Sequence, residues 1–127
     1  MVSVPTFWIS FVITLALLAG TVWTGFRGRR TLHATLAVLT VVLLTITVLL
    51  TEALLRAVVF PAREMGIHLL FAKSGAALVL PVAVTGILTW RKRSWRRVHL
   101  ACVVLFLLVA VTATGTGIWV YSLATPR

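Results

Sequence analysis

At 127 residues the chain has the length of one domain, yet 61% of it is apolar, only 11% is charged and the mean hydropathy is +1.11. So few charges cannot clothe a soluble globule with that much apolar surface, so lipid is the expected solvent for most of the chain. The net charge of +10 would suit nucleic acid, but the charges are gathered in short segments between apolar runs, the pattern of membrane loops, and a nucleic-acid partner is not expected.

A membrane span takes about 20 apolar residues at a rise of about 1.5 Å each. The first such run covers about residues 5–26, with Pro5 near its first turn, where a missing N–H costs little. Basic residues follow this run instead of preceding it, so it reads as a span and not as a cleaved signal. Arg27, Arg29 and Arg30 then lead into a second run over about 32–55. Pro61 opens a third over about 62–90, and Pro81 inside it predicts a kink by removing a backbone bond to Ala77. A second basic segment, Arg91, Lys92, Arg93, Arg96 and Arg97, leads into the fourth, about 97–123. Short connections between such spans predict an all-α, integral membrane, four-helix up-down-up-down bundle, a single domain over residues 1–127.

Charge asymmetry gives the bundle a direction. Eight of the twelve Lys and Arg residues lie in the two connections just named, against Arg56, Arg63 and Arg127 on the other side. The Arg-rich loops are therefore expected in the cytoplasm, against anionic headgroups, with both termini outside a bacterial inner membrane. Trp8, Trp23, Trp90, Trp95, Trp119 and Tyr121 fall near the expected interfaces. Small residues (Ala16, Gly20, Gly75, Ala76, Thr112, Gly115, Gly117) allow close helix approach, and hydroxyls such as Thr40, Thr45 and Thr47 are expected to bond their own backbone.

The polar residues form two groups. Gly28-Arg29-Arg30-Thr31-Leu32-His33 and Ser94-Trp95-Arg96-Arg97-Val98-His99 look like two copies of one helix start, so the chain reads as two similar hairpins. His33 and His99 fall at equal depth on the second and fourth helices, diagonal neighbours in an up-down bundle. That places two imidazoles to ligate one haem b from both sides, with Arg29, Arg30, Arg96 and Arg97 near its propionates and Ala34, Ala37 and Ala101 leaving room for the ring. The alternative is a pair of interfacial histidines bonded to loop carbonyls or lipid phosphates. His99 and Cys102 share a face but make an incomplete metal site, and a lone cysteine excludes an internal disulfide or covalent haem.

The second group lies at the other end. The only two acidic residues are Glu52 and Glu64, and Glu64 and His68 are one turn apart on a helix face. Glu52, Glu64 and His68 are a possible three-ligand site for a transition metal. Lys73, about 25 Å from the Arg-rich end, is the deepest charge, and a structural ion pair with Glu52 is the plain expectation. No nucleophile–base pair, phosphate loop or HExxH is present, so an enzyme is not expected, although a redox role fits.

The run Ile67-His68-Leu69-Leu70, the late Thr85-Gly86, the Arg-rich loop, Arg97-Val98-His99 and the closing Thr116-Gly117-Ile118-Trp119-Val120-Tyr121 resemble a family of small four-helix bacterial membrane proteins, one of which serves maturation of haem–copper cytochrome oxidase. The resemblance covers about residues 28–123 and puts weight on His33, His68 and His99; where an outer histidine is expected near the end of the second helix, this chain has Glu52. A looser similarity to four-helix membrane cytochromes b implies at most one bis-histidine haem, because the first helix has no histidine. What these resemblances imply is an accessory or maturation factor of a haem–copper oxidase, in contact with a respiratory membrane complex or with its own copies. A cofactor-free structural subunit and a small proton-coupled transporter are the alternatives; against the latter, the first helix has no carboxylate.

Overall fold

A computed structural model, which describes residues 4–56 and 58–126, contains four long helices. They are α1 (Val4–Phe26), α2 (Arg30–Leu54), α3 (Ala62–Arg91) and α4 (Arg96–Ser122), with a 3-10 turn at Arg93–Trp95 and short extended pairs at Val58–Val59 and Thr125–Pro126. All four are long and apolar enough to cross a membrane, so the protein is a multi-pass, all-α membrane protein. The helices form two compact units, α1 with α2 and α3 with α4, each an antiparallel hairpin.

The first hairpin owes its tight turn to Gly28. Its φ of +69° is the left-handed conformation that glycine adopts without cost from a Cβ. Arg29 N–H donates to Thr24 O at 3.1 Å and Gly28 N–H to Gly25 O at 3.2 Å, the paired bonds of a Schellman motif. The chain thus reverses within Arg27–Arg29, and His33 N–H closes the first bond of α2 on Arg29 O. In the second hairpin Lys92 N–H caps α3 on Leu88 O, and the 3-10 turn feeds directly into α4. Helix α3 continues through Pro81, and the Thr85 hydroxyl donates to Pro81 O at 2.6 Å.

What lies inside these hairpins is the reverse of a soluble core. Apart from Leu54 and Val120, and Gly75 at a helix contact, the buried residues are hydroxylic: Ser10, Thr14, Thr21, Thr24, Thr40, Thr47 and Thr85. The outside carries residues such as Leu70, Leu80, Leu108 and Val111, each 64% exposed or more. In water this arrangement would be unstable; in lipid, apolar contact between helices offers no advantage over contact with acyl chains, so hydroxyls and close packing hold helices together.

The hydroxyls of the first hairpin follow a heptad. Thr14 and Thr21 on α1, and His33, Thr40, Thr47 and Leu54 on α2, recur at steps of seven, with Ser10 and Thr24 on the adjoining row. A step of seven keeps one seam against a partner helix at a shallow crossing angle. Ser10 and Thr47 share a hydrogen bond of 2.6 Å, Thr14 and Thr47 one of 3.0 Å, and Thr21 and Thr40 one of 3.1 Å. Thr40 and Thr47 also bond their own helix carbonyls as expected, but their reach across to α1 was not anticipated; Thr45 bonds only Val41 O. Of the small residues, Gly20 faces Leu36 and Gly75 faces Val109, whereas Ala16 and Ala76 are exposed.

A candidate ligand site built from histidine clamps

Every histidine of the chain is held by the same device: its ring crosses to the partner helix of its hairpin and lies on a glycine that follows a threonine. His33 of α2 lies on Gly25 of α1, His99 of α4 on Gly86 of α3, and His68 of α3 on Gly117 of α4. A Cβ at those glycines would come within 3.1, 3.3 and 3.0 Å of the respective imidazole, so the ring would have to shift by a few tenths of an ångström to admit one. The preceding residues are Thr24, Thr85 and Thr116.

At His33 the hydrogen bond fixes the tautomer. His33 Nδ1 lies 2.7 Å from Thr21 O, a carbonyl that can only accept, so Nδ1 carries the hydrogen. His99 Nδ1 lies 3.1 Å from Thr85 Oγ1, whose single hydrogen is already directed at Pro81 O. At His68, Nδ1 is 3.2 Å from Thr116 Oγ1, Thr116 donates to Thr112 O at 2.8 Å, and the ring also bonds the backbone of Ala113. In the neutral ring, an Nδ1–H donor leaves the lone pair on Nε2. Nδ1–H bonded to a carbonyl or other oxygen acceptor is the arrangement that orients an imidazole whose Nε2 binds a metal.

The duplication seen in the sequence at the helix starts now extends to the partner helices. His33 and His99 are each the fourth residue of their helix, and each meets a Thr-Gly pair near the end of the preceding one. Both helices open on arginine, with Arg29 capping α2 and Arg96 opening α4, and neither has an acidic residue in its first turn. This is the reverse of what the helix dipole favours, so the positive potential at those ends is unrelieved and suits an anion. Ala34 and Ala37 are half-buried and Ala101 is exposed.

The other predicted residues are distributed as follows. Glu52 is exposed near the end of α2 in the first hairpin; Glu64 and His68 are half-buried on α3 in the second, and Lys73 is exposed on α3. Within either hairpin no three His, Cys, Asp or Glu side chains gather as a metal-holding group among the described residues. Cys102 is half-buried on α4.

Sequence reading took the histidines as candidates and missed the notches beneath them. The signal was present: Thr-Gly occurs at 24–25, 85–86, 114–115 and 116–117, and three of those four pairs receive a histidine. The fold and these clamps define a class, a multi-pass membrane protein of two helical hairpins whose histidine rings each rest on a Thr-Gly pair of the partner helix. No protein-family model, curated protein or solved structure matches the chain.

Proposed function

We propose that the protein holds one haem b in the membrane, with His33 and His99 as axial ligands, and serves a respiratory haem–copper oxidase as an accessory or maturation factor. The observation that supports the cofactor is the clamp: Nδ1 of His33 lies 2.7 Å from Thr21 O and Nδ1 of His99 lies 3.1 Å from Thr85 Oγ1, so the partner helix sets the orientation of both rings. The oxidase partner rests on the family resemblance. Each hairpin contributes one ligand, and in the up-down bundle proposed here the Arg-rich connections and both clamped ends face the cytoplasm under the positive-inside rule.

The donor set fits the group. Two neutral imidazoles suit a low-spin haem iron, and guanidinium groups suit its carboxylates. Arg29, Arg30 and Arg96 would take the propionates. Arg97 stands two residues before His99, about 200° round the helix, and so faces away from that ligand. Bound haem supplies one-electron chemistry; the chain's own part is to fix ring orientation through Thr21 O and Thr85 Oγ1, to raise ligand basicity through those bonds, and to exclude water by lipid-facing helices. A reduced-minus-oxidised optical spectrum of protein purified after haem-supplemented expression tests this, and a spectrum without haem bands would reject it.

A second reading is favoured by His68, which has the same clamp at the opposite end of the second hairpin. On that reading all three clamps are helix-to-helix fasteners of a cofactor-free subunit. It predicts that His33→Ala and His99→Ala lower stability as much as His68→Ala and change no spectrum. The Glu52, Glu64 and His68 metal site and the Glu52–Lys73 ion pair remain proposals of lower rank, testable by zinc or copper titration and by a double-mutant cycle.

A further inference from the structure

One face of α4 carries a feature that the haem reading does not use. Arg97, Leu100, Ala101, Val104, Leu105 and Leu108 line a shallow apolar groove of about 510 Å³ along the helix. It shares Arg97 and Leu100 with a basic recess of about 560 Å³ lined also by Arg93, Ser94 and Arg96. All of these residues belong to α4 and the 3-10 turn before it. The feature is thus cationic at its mouth and hydrocarbon along its length. From Leu100 to Leu108 it runs about 12 Å, most of the roughly 15 Å depth of one leaflet's hydrocarbon.

We propose that this groove seats one anionic phospholipid, its phosphate between Arg93 and Arg97 and one acyl chain along Leu100, Val104 and Leu108. Charge complementarity selects the headgroup: guanidinium groups bind phosphate with two parallel bonds, and no acidic residue lies in the turn or in α4 to oppose it. Depth selects a lipid over a soluble anion, because Leu100, Val104 and Leu108 are 48%, 49% and 64% exposed directly below the arginines. A soluble phosphate would leave that groove unused. Basic pockets at the cytoplasmic ends of spans are the usual seats of such headgroups. The inference is independent of haem, since neither Arg93 nor Arg97 serves the propionates.

Native mass spectrometry of the detergent-solubilised protein, titrated with phosphatidylglycerol or phosphatidylcholine, tests it. One phosphatidylglycerol should be retained in preference to phosphatidylcholine. Arg93→Gln with Arg97→Gln should weaken retention by about tenfold or more, from the loss of two guanidinium–phosphate contacts. Arg91→Gln with Lys92→Gln removes equal charge from the same loop outside the groove and should leave retention unchanged. Val104→Trp keeps every charge but fills the groove and should abolish retention. Equal loss in the two charge-neutralised pairs would reduce the effect to general attraction, and unchanged binding in Val104→Trp would remove the acyl chain from the groove. Displacement of the lipid by inorganic phosphate at comparable concentration would make this a phosphate site and overturn the proposal. Far-UV circular dichroism of each variant confirms that the helices are intact before retention is compared.

Discussion

Two glycines of α4, two residues apart, separate the histidine clamp from ordinary helix propensity. Gly115 and Gly117 both lie within Arg96–Ser122 and both follow a threonine. An alanine at either gains about 1 kcal/mol of helix propensity. At Gly115 the new methyl meets nothing within 4 Å. At Gly117 it comes within 3.0 Å of His68 Cε1 and 3.4 Å of Nδ1. To make room the ring must shift by a few tenths of an ångström, which disturbs its 3.2 Å bond to Thr116 Oγ1. Overpacking of this kind costs about 1–3 kcal/mol, and the weakened interhelical bond about 0.6 kcal/mol more. Gly117→Ala should therefore be less stable than Gly115→Ala by about 1–3 kcal/mol, with Gly115→Ala at or slightly above the wild type. Reversible unfolding in bicelles, followed by steric trapping or tryptophan emission, measures the difference. Equal stability of the two variants would show that His68 does not lie on Gly117 as described and would undo the clamp argument at all three sites.

Other outcomes follow from the same geometry. Thr47→Val removes the hub of the Ser10–Thr47–Thr14 cluster and should cost about 0.6–1.7 kcal/mol in bicelle unfolding, whereas Thr45→Val, which loses only a bond to its own helix, should be near neutral. Gly28→Ala forces a Cβ into the left-handed conformation and should cost about 1–2 kcal/mol, while Gly66→Ala, with open space around it, should be neutral or stabilising in the same assay. Thr85→Val withdraws the hydroxyl that His99 Nδ1 bonds; on the haem reading it should weaken cofactor retention about 10–100-fold, read by the haem-to-protein ratio after gel filtration.

Much of the fold was written in residue composition. The four spans were legible because some twenty apolar residues in a row have one use, and the observed ends, Val4–Phe26, Arg30–Leu54, Ala62–Arg91 and Arg96–Ser122, fall within two residues of those expected. The reversal at Gly28 was not legible, because a glycine among arginines carries no hydropathy signal; its role shows only in φ and in the paired bonds from Gly28 and Arg29. The hydroxyl seam was legible only in part, for a related reason: the bonds of Thr40 and Thr47 to their own helix were expected and those across to α1 were not. A threonine in a lipid-embedded helix bonds its own turn by default, and only the step of seven from His33 to Thr40 to Thr47 marks those that face a partner. The shared place of His33 and His99, each the fourth residue of its helix, was legible from the repeated Arg-rich starts. What holds each ring lies on the neighbouring helix, about eight residues back in one hairpin and thirteen in the other, and no local pattern in a single helix reveals it.

The central claim, that two clamped histidines hold a haem while the third only fastens helices, is tested most directly by optical spectra of three single variants. Protein expressed with added haem should show a low-spin b-type reduced-minus-oxidised spectrum. His33→Ala and His99→Ala should each lose it, and His68→Ala should keep it while losing stability. A wild type without haem bands, or bands that persist in either His33→Ala or His99→Ala, would contradict the account.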